Sequence, residues 1–398
     1  MSVATLANKN PAVEKYLNAL AGKDLLVTLT WEDWLQFAPP YEERPYTTKE
    51  VVSRFNRNGY DWDIHGTAYI PEKEAVPGVG FVVCHGNLGS ESFMDRTPDG
   101  RPSFSRILAA QGFYNIAITY PGHHSPPDGV WRDDITTRQP IYIFDRKISL
   151  EETLDRNLKC TWNTIVQGVG QLVDEQMAGR KVCLTSGPMG IFLKNFSKKT
   201  ETVGITTYGH GGPDGWRLQW REQTHAEEED VFPMGDIYRR SPEGMRHSGY
   251  ENTNKDLTPW GGADEFIGWS EKVRSNIKTC VNINQHAGNI GVLTETAKKA
   301  GLPVEEYIGY YKEEPDPQWM KNVGVLLSVG ERDKRHWIQG DRLEDKREYF
   351  MGMKYAEAGA RTHTVLVPKL GHAGYAEMYN QNVPYLWLWG IKSGFIKA

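Results

Sequence analysis

The chain has 398 residues, which is long for a single hydrophobic core but common for an α/β core with a large insertion. A net charge of −5 without a Lys/Arg cluster argues against a nucleic-acid partner, because phosphate binding needs a basic face. No apolar run has the length of a signal peptide or of a membrane span, so we expect a cytoplasmic protein with no membrane partner.

Residues 1–59 are predicted to form an N-terminal arm. Helical patterns cover residues 10–21 and 30–37, and a polar linker is expected after them. The arm either covers the core of its own chain or packs on a second copy, so a homo-oligomer is one expectation.

Residues 60–210 are predicted to be the first part of an α/β core. Strand patterns cover residues 60–70, 79–84, 114–120, 181–185 and 202–208, and the short apolar runs among them are typical of parallel strands buried on both faces. Helical patterns at 103–111, 150–179 and 191–198 lie between them. This alternation predicts a doubly wound, mostly parallel sheet.

The alternation stops at residue 211. Residues 211–320 are polar, aromatic and rich in loops, with helical patterns at 264–278 and 293–300, and an insertion of this length between two strands predicts a cap. Residues 321–398 complete the core with strands at 323–329 and 362–367, a helix at 341–358 and a last helix after Pro384.

The segment 181–190, KVCLTSGPMG, has the pattern of a strand, a tight turn of small residues and the start of a helix. In the nucleophile elbow G-x-S-x-G, such a turn exposes the central side chain. Pro188 occupies that position, so an acyl-enzyme cannot form there. The alternative is a shifted elbow in which Ser186 is the reactive group.

Five landmarks in chain order resemble the α/β-hydrolase superfamily, especially its esterases and dienelactone-hydrolase-like members. They are VVCHGN with His85 and Asn87, GFYNIAITYPGHHSP, the elbow at 186–190, LLSVGERD ending in Asp333, and VLVPKLGHAG containing His372. The resemblance covers residues 79–210 and 323–398. It implies the α/β-hydrolase fold, with Asp333 and His372 as the acid and base and Pro188 in place of the nucleophile.

His372 is the predicted general base, with Asp333 holding its ring through a hydrogen bond. Glu331 is a neighbouring alternative to Asp333. The resemblance also implies an oxyanion hole formed by the N–H groups of Asn87 and Met189, which needs no serine.

Further polar and aromatic side chains fall near the predicted strand ends or at the start of the cap. The predicted substrate-binding residues are His85, His124, Tyr208, His210, Trp216 and His336. Core packing is the alternative for Trp216, and a metal held by histidines with Asp333 or Asp128 is the alternative for the histidines. Four distant cysteines without a C-x-x-C pair predict free thiols, and no cofactor is expected.

Three functions remain open at this point. The first is an atypical hydrolase in which the His372 base activates water on an ester, lactone or β-oxygenated carbonyl compound. The second is a lyase in which the same base starts a retro-aldol or β-elimination reaction. The third is a catalytically inactive binding protein with an inherited pocket. An oriented base favours an enzyme acting on a small molecule.

Overall fold

A computed structural model describes the greater part of the chain. The described residues are 10–85, 92–120, 130–133, 140–143, 150–186, 197–209, 211–224, 255–258, 290–307, 316–333, 336–337, 340–372 and 374–398. Among them, no helix combines the length and the apolar composition needed to cross a membrane.

Eleven strands occur in the described part of the chain, and nine of them form one sheet. In chain order the strands are β1 (Leu26–Thr28), β2 (Tyr46–Arg57), β3 (Tyr60–Pro71), β4 (Val79–Val83), β5 (Tyr114–Thr119), β6 (Val130–Asp133), β7 (Pro140–Ile143), β8 (Lys181–Leu184), β9 (Glu201–Tyr208), β10 (Gly324–Gly330) and β11 (Arg361–Val367). The order across the large sheet is β2-β3-β5-β4-β8-β9-β10-β11-β1, and β6 pairs with β7 outside it.

Most of the sheet is parallel. Strand β3 is antiparallel to its neighbours β2 and β5, and every other adjacent pair in the sheet is parallel. The helices of the described residues are α1 (Pro11–Ala21), α2 (Trp31–Leu35), α3 (Ser92–Asp95), α4 (Phe104–Ala110), α5 (Leu150–Lys159), α6 (Trp162–Gln176), α7 (Asp214–Thr224), α8 (Ile290–Ala300), α9 (Pro317–Met320), α10 (Arg347–Glu357) and α11 (Asn382–Lys392).

Helices cover both faces of the sheet. In β4, Phe81 and Val83 belong to an apolar cluster that includes residues of α1, α4 and α11, whereas Val82 belongs to a second cluster with α6. Successive side chains of a strand point to opposite faces, so β4 is buried on both sides. The predicted doubly wound, mostly parallel sheet is confirmed.

The first 59 residues contribute two strands as well as the two predicted helices. Strand β1 pairs with β11, and β2 occupies part of the expected polar linker. The turn from β2 to β3 is Asn58-Gly59, with φ of 53° and 81°, the conformation that favours this dipeptide in tight hairpins. Only alternate positions such as Val51 and Phe55 are buried, because β2 lies at the edge of the sheet.

The long helical pattern at 150–179 is two helices in the structure. Helix α5 ends at Lys159 and α6 begins at Trp162, because Thr161 caps the second helix. Its side chain accepts the N–H of Thr164 at 3.2 Å, which satisfies a helix-terminal donor.

Helix α7 lies within the predicted cap but belongs to a core cluster. Trp216 and Trp220, one turn apart, are 1% and 0% exposed and share an apolar cluster with Phe350, Met351 and Tyr355 of α10. Helix α7 therefore packs beside the sheet through these two tryptophans. Residues 225–254 and 259–289 of the predicted cap lie outside the described residues.

Candidate active site

The switch point of the sheet lies between β4 and β8. From β4 the chain moves to β5 on one side, and it later returns to β8 on the other side. Open α/β sheets bind ligands outside the carboxyl ends of the strands at such a point. His85 follows β4 and Ser186 follows β8 closely, so both lie at this edge of the sheet.

The loops after β10 and β11 are joined by main-chain contacts. The N–H groups of Glu331 and Arg332 donate to carbonyl oxygens of β11 and its loop at 2.8 and 2.9 Å. A Cβ atom at Gly330 would lie 2.2 Å from a carbonyl oxygen of the same loop, so the close approach requires glycine. These contacts fix the spacing of the loops that carry Asp333 and His372.

Asp333 and His372 form a hydrogen-bonded pair. His372 Nδ1 lies 2.9 Å from Asp333 Oδ2, and the other carboxyl oxygen accepts the N–H of His336 at 3.2 Å. The Asp333 side chain is 0% exposed and that of His372 is 15% exposed. Both carboxyl oxygens are therefore engaged, and the bond to Nδ1 directs Nε2 to the opposite edge of the ring.

A second acid–imidazole pair lies directly against the first. The His336 ring is parallel to the His372 ring within 1°, with the ring centroids 5.1 Å apart. The Nδ1 atom of the same His336 ring lies 3.3 Å from Glu348 Oε2, and the side chains of His336 and Glu348 are almost fully buried. Two acids and two imidazoles thus form one buried group at the strand ends.

Glu348 is an unusual carboxyl group in this cluster. Burial raises its pKa to about 8, the charge of Arg347 opposes that increase, and Asp333 adds to it. Thr207 and the N–H of Gly211 stabilise the charged form by hydrogen bonds without reversing the effect. Near neutral pH the Glu348 carboxyl is therefore mostly protonated.

Asp333, His336 and His372 bring three possible metal-binding atoms together. One ligand atom from each lies within 4.8 Å of the others. The two rings are stacked and parallel, however, and an imidazole nitrogen binds a metal in the plane of its ring at about 2.0–2.1 Å. Parallel rings do not direct their lone pairs to one point, so these three residues as arranged do not fit a zinc-type site.

Ser186 is held by a buried tyrosine. The Tyr120 hydroxyl is hydrogen-bonded with both Ser186 and Cys84, and burial raises the pKa of Tyr120 well above its ordinary value. His85 Nε2 accepts the Tyr120 N–H at 3.2 Å, and the two rings are in contact. The predicted substrate ligand His85 is 4% exposed and supports the strand ends from inside.

No family model and no curated protein matches the sequence. The solved structures to which the chain is similar include a probable hydrolytic enzyme from Pseudomonas aeruginosa (15% identity, 84% of this chain and 93% of that one, TM-score 0.41), esterase E22 (10%, 86% and 100%, 0.43) and MenH from S. aureus (13%, 82% and 98%, 0.42).

The strands themselves decide the fold. The antiparallel hairpin of β2 and β3 pairs with β5, and parallel strands lie on both sides of β4, with β5 on one side and β8 to β11 on the other. The chain has the α/β-hydrolase fold.

Within this α/β-hydrolase fold, the structure gives no position relative to Asp333 and His372 for five of the predicted site residues. They are Asn87, His124, Pro188, Met189 and His210, and all lie outside the described residues. The oxyanion hole and the proline in the elbow therefore stay predictions.

Tyr208 supports the loop that carries the base. Its hydroxyl donates to the carbonyl of Gly371, next to His372. A Cβ atom at Gly374 would lie 2.2 Å from the same hydroxyl, so the loop closes tightly around the ring. Tyr208 was predicted to bind substrate, and the structure gives its hydroxyl a partner within the protein.

Tyr208→Phe is expected to lower the free energy of unfolding by about 1 kcal/mol, because it removes one buried hydrogen bond. It should lower kcat by less than about tenfold and leave KM unchanged, since the ring still fills its site. Urea unfolding and steady-state kinetics measure both effects. Tyr60→Phe, which removes a hydroxyl bonded to Asp155 at 2.6 Å, is the control and should leave kcat unchanged. A raised KM with unchanged stability would restore the predicted substrate contact.

Two further predicted substrate ligands are buried by protein. The Trp216 ring makes an edge-to-face contact with Tyr355 at a centroid distance of 4.8 Å and is 1% exposed. This position agrees with core packing, the alternative for Trp216, and not with stacking on a ligand. His336 is also 1% exposed and its ring is stacked on that of His372. Its predicted role in substrate binding stays a prediction.

Glu348 and Tyr120 are the site residues that sequence reasoning missed. Glu348 stands in the first turn of α10, where an acid is ordinarily explained by the helix dipole. Tyr120 directly follows β5 and resembles any other buried aromatic residue. No motif marks either residue. The signal for Tyr120 is its position at the carboxyl end of a strand next to β4.

Proposed function

We propose that the chain is an α/β-hydrolase-fold enzyme in which His372, oriented by Asp333, is a general base acting on a carbonyl-containing small molecule. The observation that carries the proposal is the 2.9 Å hydrogen bond from His372 Nδ1 to Asp333 Oδ2. It lies on loops at the carboxyl ends of adjacent strands, the edge at which such sheets bind ligands. The bond fixes the tautomer and leaves proton transfer to Nε2.

Two reactions follow from the same base. In hydrolysis, Nε2 takes a proton from water as the water oxygen attacks the carbonyl carbon, and the proton then goes to the leaving oxygen. In elimination, Nε2 takes the proton from the carbon next to the carbonyl, a double bond forms, and the bond to the β-oxygen breaks. In either case the N–H groups of Asn87 and Met189 are the proposed donors to the carbonyl oxygen.

A reaction without a serine nucleophile is part of the proposal. Pro188 has no hydroxyl, and the half-buried Ser186 is already hydrogen-bonded with the buried Tyr120. A serine hydroxyl becomes a good nucleophile when it contacts a base, and here its partner is a tyrosine. Water activation and elimination are therefore the reactions that we propose for this site.

The test is the mass of the intact protein after incubation with a fluorophosphonate probe. We expect no adduct, together with turnover in a panel of p-nitrophenyl esters, lactones and β-acyloxy ketones analysed by mass spectrometry. Ser186→Ala should keep this turnover within about threefold. An equimolar adduct that Ser186→Ala removes would instead establish serine-hydrolase chemistry, and ligand binding without turnover would identify an inactive binding protein.

A further inference from the structure

We propose that Glu377 and Arg101 are positioning residues for His372: Glu377 holds the peptide group next to the base, and Arg101 fastens the turn that carries Glu377. The inference rests on the role proposed for His372 and adds to it the residues that fix the base in place. Glu377 acts from inside the protein, because its side chain is 0% exposed.

Two groups hold Gly371, the residue that precedes His372. The N–H of Gly371 donates to the two carboxyl oxygens of Glu377 at 3.2 and 3.0 Å, and its carbonyl accepts the hydroxyl of Tyr208. Burial raises the pKa of Tyr208 well above its ordinary value, and the charges of Glu377 and Asp333 add to the increase, so this hydroxyl keeps its proton and donates. Glycine has no side chain that packing could hold, so these bonds fix the main chain from which His372 extends.

Stability alone does not explain a buried acid at this place. Removing the carboxyl group of Glu377 from water costs free energy that its hydrogen bonds must first recover. An apolar side chain of the same size would fill the space without that cost, but it would leave the Gly371 N–H without this acceptor. The carboxyl therefore contributes a fixed acceptor one residue before the base.

Arg101 fastens the turn that carries Glu377. Its guanidinium donates to the carbonyls of Ala376 and Glu377 at 2.8 and 3.1 Å, and to the side-chain oxygen of Asn380 at 3.0 Å. Asp99 accepts the Nε–H at 2.7 Å and so orients the planar group. Three acceptors on one guanidinium join this turn to the connection between α3 and α4.

Asn380 joins the same two segments through its amide nitrogen. The amide donates to the carbonyls of Pro102 and Tyr375, both at 3.0 Å. The neighbouring Tyr379 has a φ of 64°, which is strained for a residue with a large side chain and persists where surrounding contacts hold it. The main chain on both sides of Glu377 is therefore held in one conformation, as a side chain that acts through one peptide group requires.

The first measurement is the ¹H NMR signal of the His372 Nδ1 proton, which lies in the bond to Asp333 and is assigned by its loss in His372→Ala. Glu377→Met keeps the length of the side chain and removes the acceptor. The ring is then less firmly held, so we expect the signal to weaken through exchange with water. Glu377→Gln keeps an oxygen that accepts the Gly371 N–H, so we expect the signal to be retained.

The same variants are expected to differ in turnover. Glu377→Met should lower kcat by about 10- to 100-fold and change KM by less than about twofold, because a displaced base loses reactivity without altering ground-state binding. Glu377→Gln should restore kcat to within about threefold of the unmodified protein. Arg101→Lys keeps the charge but not the fork that joins three acceptors, so its kcat should lie between the two.

Glu74→Met is the matched control. Glu74 accepts the N–H of another glycine, Gly78, at 2.9 Å and also binds Arg180. Gly78 and Arg180 directly precede β4 and β8, so this carboxyl lies at the amino ends of the parallel strands, opposite the edge that carries His372. We expect Glu74→Met to retain both the signal and kcat.

An unchanged His372 signal in folded Glu377→Met would overturn the proposal, and so would an unchanged kcat or a loss confined to KM. If Glu377→Met does not fold, Arg101→Lys decides by the same two measurements. The signal needs no substrate, so a failure of the proposed function, seen as turnover by His372→Ala, is read separately. In that case the signal alone decides whether Glu377 positions the ring.

Discussion

His372→Ala is expected to lower kcat/KM by about 10²- to 10⁴-fold for any substrate that the protein turns over, because the general base is lost. The loss should appear mainly in kcat, since His372 contributes to proton transfer more than to ground-state binding. Steady-state kinetics with the best ester, lactone or β-acyloxy ketone of the panel measures the effect. The same loss is expected for hydrolysis and for elimination, so the result tests the base and not the reaction type.

Asp333→Asn tests whether His372 must be held in the correct orientation and tautomer, because the variant keeps the imidazole but changes its hydrogen-bond partner. The amide keeps the size of the carboxyl but can present an N–H to His372 Nδ1, which favours the wrong tautomer. We expect a loss approaching that of His372→Ala. His65→Gln, in β3 and separated from β10 by four strands of the sheet, is the control and should retain full turnover. Tolerance of His372→Ala together with a severe loss in Ser186→Ala would contradict the assignment.

Glu348→Gln is expected to change how the stability of the protein depends on pH. Burial raises the pKa of Glu348 to about 8 from 4.5, so between these values the folded chain holds a proton that the unfolded chain has lost. The contribution of Glu348 to stability is therefore fully present below about pH 4.5 and is lost as the pH rises through 8. Because Gln does not titrate, the variant should gain about 2–5 kcal/mol relative to the unmodified protein between pH 5 and pH 9.

Urea unfolding at pH 5, 7 and 9 measures this difference, and comparing variants at each pH cancels the titration of all other groups. Glu357→Gln, with an exposed carboxyl on the same helix, is the control and should change stability by less than about 0.5 kcal/mol at every pH. Parallel stability curves for Glu348→Gln and the unmodified protein would show that Glu348 ionises normally.

The fold could be predicted from the sequence because its central strands are buried on both faces. Runs such as VGFVV and GVLLSVG have no polar face, and few structures other than a covered parallel strand accommodate them. Strand β2 was not predicted, because one face of an edge strand is exposed and carries charged residues, which weakens the apolar pattern. The one sequence signal for it is the Asn58-Gly59 hairpin turn that follows it. The break between α5 and α6 depends on a single N-cap residue, Thr161. It could not be predicted because the amphipathic pattern continues through it.

The sequence predicted only those site residues that directly follow strands of the sheet. Asp333 and His372 stand directly after strands, so their meeting follows from the parallel pairing of β10 and β11. The contacts from Glu348 to His336 and from Tyr120 to Ser186 join different elements and have no local pattern. The sequence leaves ligand stacking and core packing both open for Trp216, because the apolar surface that covers this residue belongs to α10, more than 100 residues further along the chain.

The pairing of β1 with β11 has a consequence for how the protein is made. The first and the last strand of the sheet in chain order meet at one edge, with Leu26 opposite Thr364. During synthesis β1 emerges before every other strand of the sheet, but its partner β11 emerges after all of them. The loop that carries His372 follows β11, so the acid–base pair forms after the other strands of the sheet have emerged. A chain that is cut short before β11 would leave one edge of β10 unpaired and would lack His372, the proposed general base.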